Sequence, residues 1–332
     1  MQPLHIGPVA LDGRVFLAPM SGVTDIGMRR IARRFGASLV VSEMVASDDY
    51  VRGGEASRLR AEGAGVDPHV VQIAGCQPRW MAAAARLAEA SGAAVIDINM
   101  GCPAKRVTGG YAGSALMRDL SLALQLIEAT VNAVKIPVTL KMRLGWDHAS
   151  LNAPELAARA EAAGVKLVTV HGRTRCQFYT GKADWGAVQA VKQAVSIPVV
   201  VNGDCATTAD AKTMLAQAGA DAVMIGRAAV GRPWLVGQLA RGLAGQAESP
   251  PSPAERLAAA REHLDSLLTT MGAEKGLRHA RKHLSAYAEH AGAGQALRLR
   301  LVTSNNPVEV FGLLCAVFSD ARALLAPHRE AA

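Results

Sequence analysis

The sequence predicts a (β/α)8 barrel followed by a small bundle of helices. Three observations carry this: eight compact, β-branched apolar runs between residues 15 and 225, Ala- and Leu-rich stretches of helical spacing between them, and a tail beyond a proline-rich stretch that has helical patterns but no strand run of note.

The eight runs are Val15–Leu17, Ser38–Ser42, Val70–Ile73, Val95–Ile98, Val138–Lys141, Leu167–Val170, Pro198–Val201 and Ala222–Ile225. Each is a short, nearly uninterrupted apolar stretch bounded by Gly, Pro or polar residues, as a parallel strand buried on both faces requires. Arg79–Ala90, Leu120–Val134, Ala153–Ala163 and Thr208–Ala218 read as helices among those that return the chain between strands. Eight such units within about 240 residues match the size of a (β/α)8 barrel. An open doubly wound sheet is the alternative, but it has fewer strands and a Gly-rich fingerprint after the first, whereas the first run here ends in A-P-M-S-G-V-T-D. The barrel is expected over residues 1–242. Residues 243–253, with Ser249-Pro250-Pro251-Ser252-Pro253, read as a linker because these residues do not continue a helix. Residues 254–332 read as a helical domain with helices at Ala254–Thr270, Leu277–Glu289, Ala296–Val302 and Val308–Leu325.

Composition bounds the function. With 50% hydrophobic and 19% charged residues in 332, the chain has material for a large core and is no disordered polyampholyte. No stretch reaches the roughly 18 apolar residues of a membrane span, and the N-terminus lacks the charged-then-apolar order of a signal peptide, so a soluble, cytoplasmic protein is expected. The five cysteines, at 76, 102, 176, 205 and 315, are odd in number and scattered, which favours reduced thiols over disulfides or a C-x-x-C metal site, and no metal is expected. A formal charge of +8 suits a polyanionic partner. At 4% aromatic, the chain is poorly supplied for a surface of stacked bases.

In a barrel of this class the chemistry sits just past the carboxyl ends of the strands. Those positions hold Pro19 and Met20, Glu43, Gln72, Asn99 and Cys102, Lys141 and Arg143, His171 and Arg173, Asn202, Gly203 and Asp204, and Gly226 and Arg227. Gln72 and Lys141 lie in otherwise apolar strands and need polar partners at the mouth. Gly203 and Gly226 with Arg227 offer backbone N–H groups and a guanidinium where barrels often hold a phosphate, although each glycine alone also fits a tight turn. Lys141 is either a core lysine in a salt bridge or a contact to an electron-rich ligand ring, and His171 is either structural or reaches the ligand. Gly101 and Pro103 hold Cys102 in a defined loop, and an ordinary thiol, of pKa about 8.5, is mostly protonated at neutral pH and can donate a proton. Cys76, Cys205 and Cys315 read as small buried hydrophobes, and Cys176, in the loop after the sixth strand, as little more than that. In the tail, Leu277, Ala280, Leu284 and Tyr287 share one helix face, while Arg278, Arg281 and Lys282 gather on another. The segment 275–300 nets +5, whereas the tail from 254 nets +2. Such a stripe is either a solvated face or a contact for a nucleic-acid backbone.

The runs A-P-M-S-G-V-T-D, V-S-E-M, V-V-Q-I-A-G, D-I-N-M-G-C-P-A-K-R-V, A-G-S-A-L-M, T-L-K-M-R-L-G-W, T-V-H-G-R-T-R, V-N-G-D and M-I-G-R-A-A-V-G-R-P-W, with A-R-K-H-L in the tail, resemble the flavin-dependent tRNA-dihydrouridine synthases, nearest to the B-type bacterial branch. Cys205 departs from the aliphatic residue common after N-G-D in that family. The resemblance implies FMN in the barrel mouth and NADPH-driven reduction of the C5–C6 double bond of a tRNA D-loop uridine, with NADH as the alternative donor and position 17 as the leading target. It implies that Pro19, Met20 and Ser21 line the flavin ring, that Gln72, Lys141 and His171 contact it, and that Asn202, Gly203, Asp204, Gly226 and Arg227 hold its phosphate. Cys102 is then the proton donor, Asn99 orients the uracil, and Arg143 and Arg173 face the substrate with Arg278, Arg281 and Lys282. Neither a membrane nor an obligate protein partner is implied. The rivals are a dihydroorotate-dehydrogenase-like or ene-reductase enzyme of small molecules and a non-enzymatic RNA-binding barrel.

Overall fold

A computed structural model describes residues 3–323. Its strands in chain order are β1 Leu4–Ile6, β2 Val9–Leu11, β3 Val15–Leu17, β4 Leu39–Val40, β5 Val45–Ala46, β6 Val70–Ala74, β7 Val95–Met100, β8 Val138–Arg143, β9 Leu167–His171, β10 Val199–Asn202 and β11 Ala222–Ile225. The last nine form one parallel sheet in the order β4-β3-β11-β10-β9-β8-β7-β6-β5. Its two ends meet, because Val41, next to β4, bridges Val70 of β6, and the Ser42 amide donates to the Val70 carbonyl at 3.1 Å. β4 and β5 therefore share one strand position, and the ring is an eight-stranded barrel. The expected second strand, Ser38–Ser42, is interrupted where the Ser42 hydroxyl accepts from the Gln72 amide at 2.9 Å and donates to the Glu43 carbonyl at 2.8 Å. A side chain that competes for backbone partners in this way breaks a ladder.

Period-two alternation divides every strand between an outer and an inner face. Outward residues such as Val71, Ile73, Ile96 and Ile98 join a core shared with the surrounding helices. Inward residues at the amino ends, among them Phe16, Leu39, Val70, Val95, Leu167 and Val200, form a separate apolar cluster with Leu4, Ile6 and Leu11. The β1–β2 hairpin, which the sequence reading had not anticipated, thus plugs the barrel floor. One further step along the same inward faces brings polar residues: Gln72 two positions after Val70, and Asp97 and Asn99 after Val95.

The tail consists of helices Pro253–Met271, Ala273–His290, Gln295–Thr303 and Pro307–Ala323; the end of the last expected helix, Leu324 and Leu325, lies outside the described residues. Residues 244–252 carry no helix or strand. Ser252 starts the first tail helix with a capping box, its hydroxyl accepting from the Glu255 amide while the Glu255 carboxylate accepts from the Ser252 amide, and Pro253 occupies the first turn. Leu277, Ala280, Leu284 and Tyr287 are buried as their spacing predicts, in a cluster that also takes in Ile31 and Trp234 of the barrel. The tail is therefore joined to the barrel by shared apolar packing.

Gly231 marks the closest approach. Its φ is +72°, and a Cβ there would lie 2.5 Å from the Ala286 carbonyl carbon and 2.7 Å from the Ala286 Cβ. Gly231→Ala is expected to lower stability by about 1–3 kcal/mol in urea unfolding, through overpacking and left-handed strain together; a change below about 0.5 kcal/mol would show that the two domains part without cost.

Candidate active site

Neighbouring strands bring the inward polar residues into register. Gln72 pairs with Asp97, Asp97 with Thr139, Asn99 with Lys141, Lys141 with Thr169, and Arg143 with His171. Across those pairs runs a hydrogen-bonded chain. The Thr139 hydroxyl donates to Asp97 Oδ1 at 2.6 Å, Gln72 Nε2 donates to Asp97 Oδ2 at 2.6 Å, and Asn99 Nδ2 donates to Gln72 Oε1 at 2.8 Å. Asn99 Oδ1 then accepts the amides of Gly101 at 3.2 Å and Cys102 at 3.0 Å. Ser114 closes the loop from the other side, donating through both its amide and its hydroxyl to the Cys102 carbonyl. The thiol-bearing loop is thus positioned by strands, and its Cys102 side chain is part-exposed at the rim.

Lys141 Nζ donates to Asn202 Oδ1 at 3.2 Å, and Asn202 Nδ2 donates to the Met224 carbonyl at 2.8 Å. Burial, aided by the neighbouring Arg143 and opposed by Asp97 and Cys102, lowers the Lys141 pKa to about 8. Burial also raises the Asp97 carboxyl against the pull of its Thr139 and Gln72 donors and of Lys141. His171 is held well below its ordinary value by burial, then by Lys141 and three arginines. The ring is therefore neutral. Its Nε2 faces the Arg173 guanidinium at 3.3 Å and must accept there, which leaves the ring proton on Nδ1.

Past β10 and β11, Asp204 collects two arginines. Arg173 reaches it in a bidentate pair at 3.0 and 2.6 Å, and Arg227 reaches Oδ1 at 3.1 Å. These contacts hold the Asp204 carboxyl below the usual range although burial works against them. Gly203 has a φ of +121°, and a Cβ there would meet Ala183 at 2.8 Å and His171 at 3.0 Å, so only glycine fits. A cavity of about 960 Å3 opens above these groups, walled by Pro19, Met20, Ser21, Gln72, Asn99, Cys102, Lys141, Arg143, His171, Asn202, Gly203, Asp204, Gly226 and Arg227.

Several expected roles change. Arg173 is 1% exposed and also donates to the carbonyls of Thr180 and Gly181, so it is a brace behind Asp204 and does not face an RNA backbone. Arg143 donates to the carbonyls of Gly101, Thr174 and Phe178, tying two mouth loops together. Asn99 spends its amide oxygen on the Cys102 loop and also lines the cavity. The Asp204 carboxylate serves the arginines and repels anions, which leaves its backbone for any phosphate. In the tail, Arg278 pairs with Glu274 at 3.0 Å, Arg281 donates to Asn305 at 2.9 Å, and Lys282 donates to the Gly22 carbonyl, so the stripe is partly committed to local contacts. Cys205 is buried and its thiol is pushed up to about 12, first by burial, as suits a core residue.

The sequence reading missed Asp97, whose signal was a carboxylate two positions before Asn99 on one strand face. It also missed Tyr179, whose ring lies 5.4 Å from the Arg143 guanidinium and 5.0 Å from that of Arg227.

Residues 16–321 match the family model of dihydrouridine synthase (Dus). The chain belongs to the dihydrouridine synthase family. A probable tRNA-dihydrouridine synthase of Rhizobium leguminosarum bv. phaseoli is 53% identical over 326 residues, covering 98% of this chain and 100% of that protein. The tRNA-dihydrouridine synthase B of Xanthomonas axonopodis pv. citri (strain 306) is 48% identical over 288 residues, covering 86% of this chain and 87% of that protein. Among solved structures, a morphinone reductase in complex with tetrahydroNAD aligns with a TM-score of 0.52 at 17% identity, over 76% of this chain and 93% of that one, which speaks for the barrel fold. Among the described residues no helix is long and apolar enough to cross a membrane.

Lys141 gives this family member a measurable signature. Because its folded pKa lies near 8 and its ordinary value at 10.5, the unfolded chain binds more protons between those pH values, and stability rises with pH there. The stability of the wild type relative to Lys141→Met is expected to improve by up to about 3 kcal/mol between pH 7 and pH 10.5. A gap in urea unfolding that stays flat across this range would mean that Lys141 is solvated.

Proposed function

We propose that this chain is an FMN-dependent tRNA-dihydrouridine synthase that uses NADPH to reduce a D-loop uridine, with position 17 as the target and the cytoplasm as its compartment. The observation that carries the reading is the Cys102 loop, pinned by Asn99 at the rim of the same cavity that Lys141, Gln72 and Arg227 line.

The residues suit a flavin mononucleotide. Gly203 allows the backbone a close approach that any side chain would block, and the Arg227 guanidinium, its side chain 62% exposed, faces a rim where a phosphate completes the charge. Lys141 is a buried ammonium with three N–H donors and one protein acceptor in Asn202, which suits an electron-rich ring edge. The Gln72 amide is fixed in orientation by Asp97 and Asn99, and Pro19, Met20 and Ser21 supply a wall. Flavin, when bound there, would supply a hydride for C6 of the uracil. The Cys102 thiol gives its proton to C5, so that one hydride and one proton saturate the double bond and solvent reprotonates the thiolate. Such a recessed mouth requires the target base to leave its stack. NADPH is the reductant on the strength of the family resemblance.

The test is reduction of an unmodified tRNA transcript by the purified protein with NADPH, read as dihydrouridine formed. Cys102→Ala is expected to keep FMN and NADPH oxidation but to lose about 10²- to 10⁴-fold in tRNA reduction, the contribution of a positioned general acid. Wild-type rates would remove the thiol from the reaction. Turnover of dihydroorotate or an activated enone in preference to tRNA would favour the small-molecule reading.

The exposed cations of the tail yield a separate expectation. Lys275 and Arg278 are exposed on the helix Ala273–His290. Lys275→Glu with Arg278→Glu is expected to weaken tRNA binding and flatten the slope of log affinity against log salt by about two, one for each lost phosphate contact. An unchanged slope would make this face ordinary solvated surface.

A further inference from the structure

Where the tail meets the barrel, a cluster of titratable side chains lies away from the catalytic mouth. Asp25, in the loop between β3 and the helix Ile26–Arg34, is buried. His279 and His283 stand one turn apart on the helix Ala273–His290, and His263 projects from the helix Pro253–Met271. The donor atoms of Asp25, His279 and His283 all lie within 4.8 Å of one another. His283 is 2% exposed, yet among the described residues neither of its ring nitrogens has a hydrogen-bond partner, and Nε2 of His279 has none either. Leaving such groups unsatisfied in a packed interface carries their full desolvation cost. The cluster calls for a ligand.

We propose that Asp25, His279 and His283 form a divalent-cation site, of zinc class, that clasps the tail onto the barrel. Two imidazoles and one carboxylate are a donor set that zinc takes readily, and histidines at i and i+4 present their rings to one side of a helix. Donors around a tetrahedral zinc with bonds of about 2.0–2.1 Å stand about 3.3 Å apart. His283 Nε2 and Asp25 Oδ2 are already 3.5 Å apart, and side-chain rotation closes the rest. A cavity of about 500 Å3, whose wall includes Asp25, His279 and Ser266 together with Arg60, Lys275 and Lys282, reaches Asp25 and His279 and leaves room for a water in the fourth position. The Asp25 carboxylate is held in place from behind: His263 Nε2 lies 3.0 Å from Oδ2 and 3.2 Å from Oδ1, and His263 Nδ1 lies 3.1 Å from the Tyr287 hydroxyl. Such outer contacts orient a metal-bound carboxylate.

The test of this site needs no turnover. The full chain, stripped with a chelator and dialysed, is titrated calorimetrically with zinc chloride while its melting temperature is followed. One zinc per chain and a rise in melting temperature are expected, because an ion that binds only the folded state stabilises it. His279→Ala, at a half-buried position, is expected to lower zinc affinity by more than about 100-fold, beyond what the loss of an outer contact costs, and to abolish the thermal shift; His279→Gln serves in its place if the alanine variant does not fold. Cys102→Ser is expected to bind zinc as the wild type does. No zinc bound by the wild type, equal binding by the His279 variants, or loss of binding in Cys102→Ser would each overturn the proposal.

Discussion

The mouth of this barrel depends on a buried carboxylate. Asp97 is 4% exposed and sits on an inward strand face, two residues beyond Val95 of the apolar floor. A lone carboxylate there would be driven to its neutral form. It is instead anchored by Thr139 and Gln72, which turns a costly group into the fixed point of a chain ending at the amides of Gly101 and Cys102. Each link is a side chain whose direction is dictated by strand register. The position of the thiol is therefore set by the rigid sheet, not by the loop that carries it, and a reacting group held in this way does not have to be ordered at the moment of reaction.

On the far side of the mouth the same economy is built from opposite charges. Asp204 draws Arg173 and Arg227 to one point, and Arg173 in turn is held by two loop carbonyls and by the neutral His171. The inner arginine carries structure, and the outer one is left at the surface with its charge only half satisfied. Arg143 ties the loops after β7 and β9 together through three carbonyls. Of the three arginines that the strand ends contribute, two are buried among loop carbonyls and one, Arg227, stays exposed at the rim. Residue type at a strand end does not distinguish these cases; the number of carbonyls within reach does.

That distinction marks what the sequence could and could not reveal. The eight strand positions and the mouth residues were legible because apolar runs and period-two alternation are local properties of the chain. The β1–β2 hairpin was not, since its strands are three residues each and no longer pattern forms. Nor was the break in the second strand, which follows from the Ser42 hydroxyl meeting a Gln72 amide thirty residues away. Asp97 lay in plain sight in D-I-N-M, two positions from Asn99, but its partners are on other strands. Lys282 read as part of a free cationic stripe, whereas its ammonium meets the Gly22 carbonyl across the domain boundary. The spacing H-A-R-K-H at 279–283 was present as well, but the third donor, Asp25, comes from some 250 residues earlier in the chain. Reading cysteines alone for metal chemistry passes over it.

The polar interior also sets a balance between stability and function. Lys141, Arg143 and Asp97 are all withdrawn from water within one barrel, and effective desolvation penalties run to several kcal/mol per buried ion. The apolar floor sealed by the hairpin and the packed outer shell sustain that cost, but they do not remove it. A ligand that binds only the folded state adds about 2.7 kcal/mol to its stability at one hundred times its dissociation constant. Replacing these groups by apolar residues would suit the barrel and spoil the site. The depressed pKa of Lys141 and the neutral ring of His171 both follow first from that withdrawal from water.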